Sequence, residues 1–531
     1  MRVILHPARL VRLALLVLVA GLGSAVRLLN LENTPGLYSD EGTLLDIAHH
    51  LLQGKWQYMA ITQSTLIAAR PGLFPILLAG LSRLFGEGIV TLRVTTGLLS
   101  VLSIFLVYRL GFQLLRPGGY APALLAALAY ALHPHAIAYS RLGFSYNLLT
   151  PLLLVICLLT WAYLDHGRQL YITSAGLLVG LGTTSDLTML TTLIPLVIVA
   201  SSRGRRAVFG LFLGALLPLG LYSAYMLRIA PQAFVYDLRF TATRLSAIPA
   251  LVQFPIAVLN FAGLFSWDPW FIPAVMGLFV LTPPRARWFL ILFFTLPLFA
   301  IARTVAGHPF RAYYYLIPLL PLAAIGTGAI VLRGIPIVVD TFLTGFDTLT
   351  RRWLWAPTSQ GGTWIRARMV HLVTALGVFI FLVSPFLISG LLTFVDVLNR
   401  MDTPIPDLLV DQADAREVAD YVNARVGPSD LVLASPALAW MLDANVADFQ
   451  QSLAFEGQAT IHYPAGIPHD RFAYPTSPEI ARYVVIDPVW KNWGAVLMPE
   501  VAGLIGAVEA WPLEFKAGEI HVYANPGFTS D

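Results

Sequence analysis

The sequence has few charged residues and almost no cysteine. Only 12% of its 531 residues are charged and 57% are hydrophobic, which gives a mean hydropathy of +0.71. So small a charged fraction excludes an ordinary soluble enzyme. The single cysteine, Cys157, excludes an intrachain disulfide and carries no information on the redox compartment.

Long apolar runs are what the sequence has instead. Runs of about 20 residues, enough to cross a hydrocarbon layer of ~30 Å, recur along most of the chain. We therefore predict an α-helical polytopic membrane protein with about eleven transmembrane helices, juxtamembrane helices and a C-terminal soluble α/β domain. The predicted spans are 10–29, 89–112, 120–140, 145–164, 170–186, 187–202, 207–228, 255–282, 287–304, 312–333 and 369–395.

Charge is unevenly distributed along the chain. Residues 1–395 contain 27 basic and 11 acidic side chains, whereas residues 396–531 contain 7 and 19. Arginines cluster in alternate loops, among them the RGRR stretch at 203–206, and such loops stay in the cytoplasm. This pattern predicts a cytoplasmic N-terminus and an extracytoplasmic C-terminal domain. It also explains much of the basic excess, so that no nucleic-acid partner is expected.

Two domains follow from these patterns. Residues 1–395 form the predicted transmembrane domain, with a first outer loop at 30–88, and residues 396–531 form the predicted extracytoplasmic domain. Within the latter, 411–426 has the pattern of an amphipathic helix, and strands are expected at 431–435, 483–487 and 520–525. In the outer loop, residues 66–86 are predicted to lie along the membrane interface, because Arg70-Pro71 and Pro75 interrupt the apolar run.

An acid pair and several arginines share the predicted outer face. Asp40 and Glu41 stand just beyond the first span, where Asp40 could equally cap the helix that starts there. Arginines at outer span ends run against the orientation bias and need another reason, which is either lipid headgroups or a shared phosphate site. These arginines are Arg70, Arg141, Arg239, Arg244, Arg303 and Arg311.

Carboxylate and arginine together suit one class of reaction. A carboxylate can take the proton of an acceptor hydroxyl while that oxygen attacks the anomeric carbon of a sugar. An arginine can stabilise the phosphate that leaves. A single displacement inverts the anomeric centre, and a lipid-phosphate leaving group would explain a site at the bilayer surface.

Several stretches resemble a known family. "YSDEGTLLDIAHHLLQGKW", "ARPGLFPILLAGLSRLFG", "HPHAIAYSRLGFSYN" and "GHPFRAYYYLIPLLPLAA" occur in this order within residues 1–395. They resemble the C-type glycosyltransferase superfamily, in the branch of the protein O-mannosyltransferases and the aminoarabinose transferase acting on lipid A. The order of the four stretches carries the resemblance more than any one of them.

The resemblance implies a reaction, partners and site residues. The enzyme would move one sugar from a polyprenyl-phosphate-linked donor to a protein, lipid or glycan acceptor at the outer face of a bacterial plasma membrane, without a cofactor. Asp40 corresponds to the catalytic aspartate, with Glu41 as a helper. Arg70 corresponds to a phosphate-contacting lysine, and Arg311 falls in a loop that also contacts the lipid phosphate. Arg141, as another outer arginine, is expected to hold the phosphate with them. His308 and Asp186 are further candidates.

Other functions are weighed against this one. A lipid or polysaccharide transporter or flippase would place ionisable residues near mid-span and show an internal duplication, which we do not find. A sensor or scaffold would leave the acid pair and the outer arginines unexplained. His49-His50 and His133-x-His135 invite a metal site, but no acid cluster at ligand spacing accompanies them, and we predict none.

Overall fold

The described residues form two connected parts. The computed structural model describes residues 7–62, 72–115, 119–246, 271–281, 284–304, 309–330, 387–396 and 408–528, with a few single positions between 373 and 384. Helices make up almost all of the part before residue 397. We call residues 408–528, which contain a sheet flanked by helices, the C-terminal region.

Long apolar helices dominate the first part. Among the described residues, those long and apolar enough to cross a membrane are Pro7–Leu28, Ile89–Leu114, Tyr146–His166 and Arg205–Ile229. A fifth crossing results if Tyr120–Ala131 and Pro134–Arg141, bent by 52° to each other, count as one broken helix. The chain is thus an integral membrane protein, but the predicted count of about eleven spans is not confirmed.

The remaining predicted spans are shorter or fall partly outside the described residues. Gln169–Thr183 has 15 residues and a length of about 22 Å, which is less than the ~30 Å of a hydrocarbon layer. Most of 255–282 and of 369–395 is not described. The other described helices of this part are Ser39–Leu52, Leu73–Phe85, Leu193–Ser201, Pro231–Ser246, Phe271–Met276 and Pro284–Thr304, with 3-10 segments at Leu187–Thr192 and Pro309–Leu319, a π turn at Gly277–Leu281 and helical residues at 320–330.

Glycines let two of these helices approach closely. A Cβ atom added at Gly176 or Gly180, in helix Gln169–Thr183, would overlap a backbone carbonyl of helix Arg205–Ile229. The carbonyls are those of Leu211 and Ala215. The absence of a side chain at these two glycines is therefore what allows the two helices to pack so closely.

The described residues of the predicted first outer loop, for which we keep that name, form a short strand, a two-stranded hairpin and two helices. Strand Leu37–Tyr38 leads directly into helix Ser39–Leu52, a hairpin pairs Gln57–Tyr58 with Ile61–Thr62, and helix Leu73–Phe85 follows. The last of these lies in the segment predicted to be interfacial. Its 13 residues are too few to span a bilayer, and it buries one face, with Phe74 and Leu78, while exposing Leu84 and Phe85.

A five-stranded mixed sheet forms the C-terminal region. Its strand order is Asn445–Ala447, Leu431–Leu433, Ala481–Ile486, Ile520–Ala524 and Leu513–Ala517. The first three strands are parallel to one another. Strand Ile520–Ala524 runs antiparallel to both of its neighbours. The three strands predicted from sequence are confirmed. Asn445–Ala447 was missed because it is so short, and Leu513–Ala517 because charged residues interrupt an exposed edge strand.

Helices cover both faces of this sheet. The predicted amphipathic helix is confirmed as Gln412–Asn423; Asp411 caps its N-terminus and Val418 and Val422 are buried. The others are Pro436–Ala439, Phe449–Phe455, Ala495–Leu497 and Pro499–Val508, with 3-10 turns at His469–Arg471 and Pro478–Ile480 and a π turn at Trp490–Gly494.

The C-terminal region is joined to the first outer loop by backbone and side-chain hydrogen bonds. Strand Leu37–Tyr38 pairs antiparallel with strand Leu409–Val410. Gln451 of the C-terminal region binds the hairpin of the first outer loop. Its Nε2 donates to the Tyr58 carbonyl at 3.1 Å and its Oε1 accepts from the Ala60 N–H at 3.2 Å. Leu44 and Leu45 of helix Ser39–Leu52 belong to the same apolar core as the sheet. The two parts therefore position each other.

Candidate active site

Asp40 lies in the first turn of helix Ser39–Leu52 but does not cap it. The N-cap residue is Tyr38, whose backbone N–H donates to Glu41 Oε2 at 3.1 Å, the return bond of a capping box. The alternative interpretation of Asp40 as the helix cap is thus wrong. The Asp40 carboxylate, half-buried, lines a cavity between the first outer loop and the C-terminal region.

Glu41 is buried and does not line this cavity. Its carboxylate accepts hydrogen bonds from the Tyr38 N–H, from the Gly143 N–H at 2.9 Å, and from Nε and Nη2 of Arg93 at 2.8 and 2.7 Å. Four donors occupy a carboxylate almost fully. Glu41 therefore acts as an anchor for the start of the helix, and Asp40 next to it is held at the cavity.

Arg93 was missed by the sequence analysis. It is fully buried near the start of helix Ile89–Leu114, and besides Glu41 it binds the carbonyl oxygens of Leu31, Pro35 and Gly36 at 2.8–3.1 Å. A charge inside an apolar span is a functional candidate by default, and that signal could have identified it. Its guanidinium fixes the backbone that leads from the first span to Asp40.

Arg141 has a related structural position. It is fully buried; Nη1 donates to the carbonyls of Val26 and Leu29, and Nη2 donates to the carbonyl and the hydroxyl of Thr34. It does not line the cavity. These contacts do not fit the expected role of Arg141 as a lipid-phosphate ligand, because its terminal nitrogens are engaged with the outer loop.

The other predicted ligands are described in part or not at all. Arg70 and His308 lie outside the described residues, and Arg311 lies in the 3-10 segment Pro309–Leu319, where its side chain is not described. Asp186 caps the 3-10 segment Leu187–Thr192 and accepts from the N–H and the hydroxyl of Thr188 at 2.8 and 2.6 Å. It does not line the cavity.

The cavity next to Asp40 has a volume of about 150 Å³. The residues before position 397 that line it are Tyr38, Ser39, Asp40, Thr43, Tyr58, Tyr314 and Tyr315. The ring of Tyr314 stacks on Phe144 with centroids 5.3 Å apart and an interplanar angle of 10°. Aromatic packing thus holds the 3-10 segment that contains Arg311 beside the Asp40 wall.

The opposite wall belongs to the C-terminal region and was not predicted. Asp448, Phe449, Gln450, His462, Tyr463 and Trp493 line it. Burial raises the pKa of Asp448 to about 7, although its carboxylate accepts the Gln451 N–H at 2.7 Å. Burial likewise raises the pKa of Tyr463 well above its ordinary value. No local sequence pattern marks these residues, because they come from separate helices and loops of the C-terminal region that meet only in the folded chain.

The arrangement offers a carboxylate, hydroxyls and aromatic rings around one cavity. A half-buried carboxylate can accept a proton from a hydroxyl within hydrogen-bond reach. Tyrosine rings and hydroxyls can contact the faces and the polar groups of a sugar. The site therefore suits a hydroxyl-bearing substrate that enters between the outer loop and the C-terminal region.

The comparisons with known proteins agree with this description. Residues 69–227 match the model of the family described as dolichyl-phosphate-mannose-protein mannosyltransferase. No curated protein matches the sequence. The structure resembles that of ArnT from Cupriavidus metallidurans bound to undecaprenyl phosphate, with 14% identity, a TM-score of 0.59 and coverage of 98% of this chain and 99% of the other.

A second relative is more distant. The apo oligosaccharyltransferase of Archaeoglobus fulgidus shares 12% identity, with a TM-score of 0.50 over 91% of this chain and 70% of the other. At such identities the likeness shows a common fold.

The family match covers 159 of the 531 residues. Together with the fold shared with ArnT, it agrees with the predicted resemblance to the protein O-mannosyltransferase and ArnT branch. The matched range begins after Asp40, so the role of that residue is a proposal.

Proposed function

We propose that this protein is an inverting glycosyltransferase that moves one sugar from a polyprenyl-phosphate donor to an acceptor at the extracytoplasmic face. One observation carries the proposal: the half-buried Asp40 carboxylate lines the cavity between the first outer loop and the C-terminal region. The family match and the fold shared with an ArnT structure that contains undecaprenyl phosphate support the donor class.

Asp40 acts as the general base. It takes the proton of the acceptor hydroxyl as that oxygen forms a bond to the anomeric carbon of the donor sugar. The bond from that carbon to the lipid phosphate breaks on the opposite face, and the phosphate leaves with the bonding electrons. One displacement inverts the anomeric centre, as in inverting glycosidases, where water is the acceptor.

The lipid phosphate is held by Arg70 and Arg311 in this proposal. Guanidinium groups bind phosphate oxygens bidentately and offset the charge that develops on the leaving group. Arg141 is left out of this set because its terminal nitrogens bind Val26, Leu29 and Thr34.

Glu41 and Arg93 serve the reaction as positioning residues. Their ion pair fixes the first turn of helix Ser39–Leu52 onto the underlying span, so that the Asp40 carboxylate enters the cavity from a rigid backbone. A base held within a fraction of an ångström of its productive position contributes far more than a mobile one.

The orientation follows the arginine-rich loops. We place the N-terminus in the cytoplasm of a bacterium and residues 396–531, as an α/β domain, outside its plasma membrane. The acceptor, whether a protein hydroxyl, a lipid or a glycan, then reaches the cavity from the side of this domain.

The test is a panel of labelled polyprenyl-phosphate sugars. The purified full chain, in proteoliposomes with envelope extract as the acceptor source, is incubated with each donor, and lipid phosphate and glycosylated product are measured together. The proposal is supported if the wild type consumes one donor and forms glycosylated product, and if Asp40→Asn forms no such product. Movement of intact donor across the bilayer without cleavage would instead identify a transporter.

A further inference from the structure

The cavity wall that the C-terminal region contributes has the chemistry of a carbohydrate site. We propose that Asp448, Gln450, His462 and Trp493 bind one neutral or cationic sugar ring opposite Asp40. This inference rests on the proposed function, because it names the substrate chemistry of the same cavity. A volume of about 150 Å³ has room for on the order of ten water molecules, which suits a single monosaccharide unit.

Two hydrogen bonds determine the tautomer of His462. Its backbone N–H donates to Gln450 Oε1 at 3.1 Å, and a backbone N–H can only donate, so the amide orientation of Gln450 is fixed. Gln450 Nε2 therefore donates to His462 Nδ1 at 2.9 Å. Neutral His462 must then carry its proton on Nε2, which makes that edge of the ring a hydrogen-bond donor.

An aromatic face adjoins this donor. The rings of His462 and Trp493 stack with centroids 5.7 Å apart and an interplanar angle of 23°, and both side chains are partly exposed. Apolar C–H faces of a sugar pack on such rings, while its hydroxyls need the donors and acceptors at the rim. Asp448, whose pKa is raised to about 7 by burial, can accept a hydroxyl proton or donate its own near neutral pH.

Charge on the cavity selects against anionic sugars. Asp40 and Asp448 both line it, and the lining residues that the structure describes include no lysine or arginine. In the proposed function Arg70 and Arg311 are engaged by the lipid phosphate, so a carboxylate or sulfate on the bound ring would face Asp40 and Asp448. A neutral hexose or a protonated amino sugar meets no such repulsion.

The wall is fixed relative to Asp40. Gln451, the neighbour of Gln450, binds both Tyr58 and Ala60 of the outer-loop hairpin, and Asp448 accepts the Gln451 N–H. A sugar held by the wall is therefore presented to the catalytic loop at a constant distance, and no closure of the C-terminal region is needed.

The experiment measures binding of simple glycosides to the full chain in detergent by saturation-transfer NMR. The probes are methyl mannoside, methyl glucosaminide and methyl glucuronide, each measured with undecaprenyl phosphate present to occupy the phosphate site. We expect the first two to bind with millimolar affinity and the glucuronide at least about tenfold more weakly. Absence of binding by all three to the wild type would overturn the proposal.

Matched tryptophan variants localise the site. Trp493 and Trp511 are both partly buried and pack on the same apolar cluster, but only Trp493 lines the cavity. Trp493→Ala should weaken glycoside binding about tenfold and Trp511→Ala should leave it unchanged. His462→Phe keeps the stacked ring, removes the Nε2 donor and should also weaken binding. Equal binding in wild type, Trp493→Ala and His462→Phe would exclude this wall.

Competition separates the two sources of such a ring. Polyprenyl-phosphate mannose that displaces methyl mannoside, when undecaprenyl phosphate alone does not, assigns the wall to the donor sugar. Simultaneous binding assigns it to a glycan acceptor. Glycoside binding is measured without catalysis, so the two proposals can fail separately. Glycoside binding without any sugar transfer would disprove the proposed function alone. Sugar transfer that is unaffected by Trp493→Ala would disprove this inference alone.

Discussion

Arg93 and Glu41, 52 positions apart in the chain, form a two-pronged ion pair beneath the first outer loop, with Nε and Nη2 of the arginine at 2.8 and 2.7 Å from the two carboxylate oxygens. Neither side chain is exposed to solvent. Because removal of one partner leaves the other charge buried and uncompensated, the pair controls the stability of the loop that bears Asp40.

Glu41→Gln and Arg93→Met should therefore lower the stability of the fold more than they lower the rate of sugar transfer by the folded protein. Breaking a buried pair costs about 3–5 kcal/mol, and we expect a clearly lower unfolding midpoint in detergent. The exposed pair of His49 and Glu87 provides the control, since Glu87→Gln should change stability by less than about 1 kcal/mol. Unchanged midpoints in both buried-pair variants would contradict the positioning role.

Asp40→Asn should abolish turnover and leave the fold intact. Asn cannot take the proton of the acceptor, and loss of a general base costs ~10²–10⁴-fold in rate. Folding should survive because Tyr38 and Glu41, not Asp40, cap the helix. Sugar transfer by folded protein at saturating donor is the measurement, with exposed Asp420→Asn as the matched control. Turnover of Asp40→Asn within a few-fold of wild type would remove Asp40 from catalysis.

Arg70 and Arg141 should behave in opposite ways. Arg70→Ala should weaken donor binding by about ten- to a hundredfold, as expected for one charge-assisted contact, and Arg70→Lys should retain part of the affinity. Arg141→Ala should instead reduce the yield of folded protein, because it leaves carbonyls of Val26, Leu29 and Thr34 without donors. Donor affinity per folded molecule is measured for both. Normal affinity in Arg70→Ala would exclude it as a phosphate ligand.

The C-terminal region should become less stable as pH rises from about 4 to 7. Burial raises the pKa of Asp448 to about 7 and that of Asp487 to about 6, above the ordinary value of 3.8 that the unfolded chain keeps. The folded state therefore holds more protons in this window, and its advantage is lost as pH climbs through the folded-state pKa values.

The effect is measured as the thermal unfolding midpoint of the full chain between pH 4 and 8. The expected loss is on the order of a few kcal/mol. Asp448→Asn, which retains the helix cap, should raise the midpoint at pH 8 and flatten the profile. A wild-type midpoint that rises steadily from pH 4 to 7 would contradict this assignment.

Topology can be tested with single cysteines. In a background with Cys157→Ser, cysteines replace the exposed residues Arg205 and Ala502. The arginine-rich loops predict that a membrane-impermeant reagent labels position 502 and not 205 in spheroplasts. The reverse pattern would invert the orientation and place the cavity in the cytoplasm.

Local patterns located several of the helices and strands. Apolar runs located the long helices Pro7–Leu28 and Arg205–Ile229, and alternation located strand Ala481–Ile486, because burial imposes those periods on nearby residues. The acid pair after the first span became a catalytic candidate only through the family resemblance, because an acid at a helix start is explained locally by capping.

Roles that depend on distant partners emerged only from the folded chain. The same residue type, arginine at a span end, predicted a phosphate ligand at Arg141, yet its terminal nitrogens bind carbonyls more than 100 positions away. Next to the second wall of the cavity, Gln451 donates a hydrogen bond to the carbonyl of Tyr58, which lies 393 positions earlier in the chain. Hydrogen bonds and desolvation at such separations depend on three-dimensional packing, which leaves no periodic trace in the sequence.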